Sequence, residues 1–164
     1  MVNFTSIKKI LERANLEYGG DITFLSPIHE DSLKSFEKGI NWDLPDMFRD
    51  FYTNETNGLI IGNRRIYSLY DKEQKKTYVE NLDRMNDPEK SPWFKGRPHI
   101  FNDYVIIGAD SETIFCISKK YGIPNPLIYI CRNPNSKHGV DLDCLDLDLG
   151  GLIETMIRLE YESD

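Results

Sequence analysis

Residues 44–69, LPDMFRDFYTNETNGLIIGNRRIYSL, set an Asn-Gly pair between two segments of different hydrophobic period. That change of period limits what the chain can fold into. Asn-Gly is commonly the tip of a hairpin between two strands, but the segment before this one reads as a helix from Pro45 to about Thr53. Proline is tolerated at a first helical position, Asp46 complements the helix dipole, and Leu44, Phe48, Phe51 and Tyr52 make one apolar stripe. The segment after it reads as two short strands around GNRR, rich in Ile, Leu and Tyr. Asn57 and Gly58 both tolerate positive φ, so the pair is read as the joint at which a helix reverses into a sheet.

The flanking sequence extends this pattern. Residues 5–17 read as a helix capped by Thr5 or Ser6, with Ile7, Ile10, Leu11 and Ala14 on one face. A second helix over residues 29–38 turns Leu33 and Phe36 inward and ends at Gly39 as a left-handed cap. Residues 71–86 read as another helix, followed by the loop DPEKSPWFKGRP. YVIIGAD and TIFCIS form a strand pair around DSE, and PLIYIC is a further buried strand. After the loop RNPNSKHG, VDLDCLDLDL turns its leucines inward and its aspartates to water, with a bulge or strand end at Cys144–Leu145. GGLIETMIRLEY closes the chain as an amphipathic helix. Helices first, strands in the middle and a helix last predict an α+β single domain over residues 1–164, a mainly antiparallel sheet with the N-terminal helices and the C-terminal helix packed on it.

At 164 residues the chain is long enough for a core of its own. The start, MVNFTSIKKILERANLEY, has no apolar signal region, and no apolar run is long enough to span a bilayer, so a cytoplasmic location is expected. NFT and NET match the glycan acceptor pattern, which such a chain would leave unmodified. Cys116, Cys131 and Cys144 are odd in number and widely spaced, which suits small buried hydrophobes in a reducing compartment.

The net charge of −7 is unevenly placed. Residues 1–137 hold 19 Lys and Arg against 19 Asp and Glu, and residues 138–164 hold Arg158 alone against eight acidic residues. An acidic end of this kind repels nucleic acid and anionic membrane and steers a basic protein partner toward itself. Charge alone fits a solvated face and a frayed tail somewhat better.

The order of elements resembles a known family. An acidic residue within a short helix (Glu37 in SLKSFEKGI), Leu44-Pro45 opening the next helix, an aromatic stripe, then Asn57-Gly58 and a strand resemble the SUKH superfamily, which joins bacterial immunity proteins with relatives of yeast cell-wall synthesis regulators. YVIIGADSETIFCIS looks like its central hairpin, PLIYI like its next strand and DLGGLIETMI like its terminal helix, so the likeness covers about residues 22–158. The hairpin departs in having only Gly108 where the family often has glycine on both sides of the turn. The resemblance makes Glu37, Leu44, Pro45, Asn57 and Gly58 a fold signature.

The residues show little chemistry. There is no GxSxG elbow, no GxxxxGK[ST] loop and no GxGxxG after a strand. His29, His99 and His138 sit in separate polar segments, and a Cys–His pair distant in sequence, such as Cys116 with His99, is left open as nucleophile and base. An EF-hand loop begun at Asp141 would need Gly where Asp146 stands and Glu where Leu152 stands, so no metal site is expected. Arg64, Arg65, Lys72, Lys75 and Lys76 lie among Tyr67, Tyr70 and Tyr78, a mixture that single-stranded nucleic acid would suit but that a solvated face explains better.

The expected function is therefore that of a non-enzymatic immunity protein, without cofactor, which binds a cognate intracellular toxin domain with a basic surface. Asp141, Asp143, Asp146 and Asp148 are expected to make the acidic contact, with Trp93 as an aromatic anchor, and the protein to be a monomer or homodimer. A regulatory scaffold of the cell-wall-regulator type is the second expectation, and a small hydrolase the third.

Overall fold

The computed structural model describes residues 6–71, 81–92, 102–120, 122–132 and 141–162. The helix α1 (Ile7–Tyr18) is followed by the short strand β1 (Thr23–Phe24), then by α2 (Glu30–Ile40) and α3 (Asp46–Asp50). The hairpin β2 (Leu59–Ile61) and β3 (Arg64–Ile66) comes next, then the one-turn α4 (Leu82–Met85). Strands β4 (Tyr104–Ala109), β5 (Thr113–Ser118), β6 (Tyr129–Arg132) and β7 (Asp141–Cys144) lead to the terminal helix α5 (Leu149–Tyr161). Each strand pairs antiparallel with the next in sequence, giving a seven-stranded sheet in the order β1 to β7. The α+β architecture expected from the sequence is the one observed.

The helix ends follow local chemistry. Ser6 caps α1, its Oγ accepting from Lys9 N–H, while the Glu55 carboxylate accepts from Ser6 Oγ and Lys8 N–H at 3.1 and 3.0 Å. An acid remote in sequence thus satisfies donors that a helix start leaves open. The second helix runs past Gly39. Its left-handed cap is Asn41, at φ 52°, where the short side chain tolerates that conformation, and Gly39 is an ordinary helical residue with open space where a Cβ would stand.

The Pro45 helix also differs from the expected continuous α-helix. Pro45 is its N-cap, in extended conformation, and its carbonyl accepts from Phe48 and Arg49 N–H. After Asp50 the chain widens into a π-helical turn over Phe51–Glu55, closed by Thr56 N–H bonding to Phe51 O at 2.8 Å. The wider turn lets Phe51 and Tyr52, adjacent in sequence, both be fully buried, and Tyr52 Oη donates to Tyr67 O.

The fold signature is now physical. Glu37 is buried, pairs with the Arg49 guanidinium and accepts from Leu44 N–H at 2.6 Å, so one carboxylate ties the end of α2 to the start of α3. Gly58 alone of the Asn-Gly pair has positive φ, at 89°, and a Cβ there would lie 2.6 Å from Ser68 Oγ and 2.8 Å from Ile66 O. Asn57 serves the joint differently, through buried hydrogen bonds to Leu69.

In the sheet, the register shifts between Ile106 and Gly108, and a Cβ at Gly108 would meet Arg65 O at 2.3 Å. The β4–β5 turn manages without a second glycine because Asp110 Oδ1 accepts from both Glu112 and Thr113 N–H. The alternation of β7 stops at Cys144, as expected, and Asp146 takes φ 55°. Of the helix expected over residues 71–86, the described part is helical only at Leu82–Met85, with Asn81 as its N-cap; residues 72–80 lie outside the described residues.

Candidate functional site

Directly paired residues of an antiparallel sheet project to the same face. Phe115 pairs with Ile130, and Ile130 with Asp143, so these three share one face. Thr113 pairs with Arg132 on that face too. Helix α5 crosses the same face, presenting Leu152, Met156 and Leu159. Between helix and sheet lies a groove of about 460 Å³.

Its floor is apolar. Phe115, Ile130 and Met156 are buried beneath it, while Leu159 at its mouth is 49% exposed. Leu145 and Leu147, half-buried on the segment after β7, close one side. The rim is charged. Asp110 and Glu112 stand at the β4–β5 turn, Arg132 on β6, and Arg64 near the β2–β3 turn. Arg64 is partnered by Glu160 of α5 at 3.5 Å, and the Glu160 carboxylate lies over Gly62, where a Cβ would displace it.

The expected contact residues distribute unevenly around this groove. Asp143 is exposed on the groove face beside Ile130, and Asp146 is exposed between the two leucines that line the groove. Asp141 stands opposite Arg132 in the strand register. Asp148 has a structural duty: Oδ1 accepts from Gly151 N–H at 2.8 Å as the N-cap of α5, and Oδ2 accepts from Asn125 Nδ2 at 2.9 Å. Its place before an amphipathic run was a readable cap signal. Trp93 lies outside the described residues.

The groove itself escapes sequence reasoning. Phe115, Ile130 and Met156 read as core positions and are buried, and nothing local says that a groove opens above them between the helix and the sheet.

Among the described residues, no group of three His, Cys, Asp or Glu side chains is placed to hold a metal ion. His29 is the N-cap residue of α2 and makes no side-chain cap bond, while His99 and His138 lie outside the described residues. Cys116 and Cys131 are buried and Cys144 is exposed. Burial, and secondarily Cys131, pushes the Cys116 thiol above its ordinary range, which favours the neutral thiol over a nucleophilic thiolate. The basic cluster is visible only at Arg64 and Arg65, its lysines lying outside the described residues. No described helix is long and apolar enough to cross a membrane.

Residues 30–142, more than half of the chain, match the family model SUKH_6, described as SMI1-KNR4 cell-wall. No curated protein matches the chain.

Proposed function

The chain belongs to the SUKH family, and from that membership we propose that it is a non-enzymatic, cytoplasmic immunity protein that binds and neutralises a cognate intracellular toxin domain. The observation that carries this reading is the groove: a concave apolar floor with carboxylates around it, suited to a protein surface. Apolar side chains seated on Phe115, Ile130 and Met156 would slow release, and the acidic positions around them would speed encounter with a basic toxin. A stable complex buries roughly 800 Å² per partner, which one face of a domain of this size can supply. Asp143 and Asp146 carry the steering in this account, because Asp148 is occupied by its cap and Asn125.

The test is the association rate with the toxin domain encoded beside the gene, measured at low and high ionic strength. Charge reversal by Asp143→Lys and Asp146→Lys lowers the rate and flattens its salt dependence. An unchanged rate and salt dependence would contradict the steering role. The description of the matched family favours a second reading, a regulatory scaffold of the cell-wall-regulator type. In that case no toxin lies beside the gene, and affinity capture returns wall-synthesis or signalling proteins.

A further inference from the structure

The charges at the groove are arranged as well as numerous. Among the described residues, Asp110 and Glu112 line it with Arg64 and Arg132, Asp143 pairs with the floor residue Ile130, Asp146 lies between the lining Leu145 and Leu147, and Arg64 is already held by Glu160. Carboxylates occupy both ends. Glu112 lies in the turn that begins β5, and Asp143 lies on β7 at the sheet edge, with β6 between them. Two strand spacings of about 4.8 Å and an offset of about three residues along the strands separate these ends by roughly 14 Å. The apolar floor lies between.

We propose that the element of the partner seated in this groove carries one large apolar side chain with a lysine or arginine on each side of it. The apolar side chain lies over Phe115, Ile130 and Met156 against Leu159, and the two cations meet Glu112 and Asp143. In an extended segment each cation stands about three residues from the anchor or closer, given ~3.3 Å per residue. A second copy of this chain is the wrong occupant, since its own corresponding face would set carboxylate against carboxylate. This inference deepens the partner-binding reading above and rests on it for its biological setting only.

The test uses a phage-displayed library of random dodecapeptides, selected on the full-length protein. Two variants serve as counter-targets: Leu159→Arg, which blocks the mouth of the groove, and Glu112→Lys with Asp143→Lys, which reverses both ends. All three positions are exposed, and unchanged thermal unfolding confirms that the variants fold. The proposal expects enriched peptides with an aromatic or long aliphatic residue between basic ones. Their binding should weaken roughly tenfold on charge reversal, fall with added salt and vanish on Leu159→Arg. Peptides without a basic excess, peptides that bind the blocked variant equally, or no enrichment over it would each overturn the proposal.

Failure of the broader reading looks different. Peptides of the expected pattern without protection of cells from the neighbouring toxin would leave the groove standing and remove the immunity role. Full protection by both variants would do the reverse.

Discussion

The side-chain amide of Asn57 holds the backbone of Leu69 from both ends: Oδ1 accepts from Leu69 N–H at 2.8 Å, and Nδ2 donates to Leu69 O at 2.9 Å. Asn57 is itself buried, and its own carbonyl accepts from Ser68 Oγ. A side chain thus completes the pairing that a strand would otherwise supply where β3 runs out. Asn86 does the same for Ile106 at 2.7 and 2.8 Å, beside the register shift of β4, and Asn15 does so for Ile22. Each amide sits where the regular ladder is interrupted.

Replacing Asn57 by alanine strands a buried donor and a buried acceptor together. At about 1–3 kcal/mol for each of the two unsatisfied groups, Asn57→Ala should cost about 2–6 kcal/mol. Asn57→Asp keeps the acceptor and loses the donor to Leu69 O. Urea unfolding checks the size of the alanine loss; a cost below about 1 kcal/mol would mean that water replaces the amide.

Two glycines test the reading of the backbone. Gly58→Ala forces a Cβ into Ser68 and Ile66 at a positive φ, so it should destabilise by more than about 2 kcal/mol. Gly39→Ala, within a helix and with open space around it, should stabilise by about 0.5–1 kcal/mol. Opposite signs in one denaturation series are the expected result. A destabilising Gly39→Ala would restore that residue as the left-handed cap.

The Glu37–Arg49 pair is asymmetric. Glu37 is buried, whereas the Arg49 side chain is 29% exposed and also reaches Glu30. Glu37→Ala removes the partner of both Arg49 and Leu44 N–H, and should cost on the order of 3 kcal/mol. Arg49→Ala leaves the buried Glu37 carboxylate without its cation, and should cost a comparable amount, on the order of 3 kcal/mol. A double-mutant cycle should show strong non-additivity, and simple additivity would mean the two side chains act separately.

The ends of α1 and α5 meet through Tyr18, which stacks on Tyr161 with ring centres 4.7 Å apart and donates to the Glu162 carboxylate. That hydrogen bond, with lesser help from desolvation, raises the Tyr18 pKa from 10.0 to about 12. The folded state therefore holds this proton more tightly than the unfolded chain. The associated stability is complete below about pH 10 and is lost as pH rises toward about 12. Ultraviolet titration of wild type against Tyr18→Phe should show one tyrosine missing from the late part of the curve. Loss from its early part would place Tyr18 free in solvent.

Much of this was legible in residues close in sequence. Ser6 before an amphipathic run, Gly58 after an asparagine, and the hairpin around Asp110 each announce their geometry locally. The end of α2 was misplaced at Gly39 because glycine is the commoner left-handed residue, while Asn41 suits the position and receives help from Glu37 O bonding to Trp42 N–H. The π-helical turn has no local signature; it follows from seating two adjacent aromatics in one core. The groove was hidden for a related reason. Phe115 and Ile130 have the alternation of buried strand residues, and only the path of α5 decides how far they are covered. The aspartates, by contrast, were visible as a charge imbalance, and Asp148 was also readable as the cap of the last helix.

Growth of a naive host expressing the toxin-like protein encoded next to this gene, with and without this chain, tests the central claim most directly. The account predicts rescue by the wild-type chain, weaker rescue by Leu159→Arg, and none against toxins from unrelated loci. Arrest that persists in the presence of the wild-type chain, with a toxin shown to be active, would contradict it.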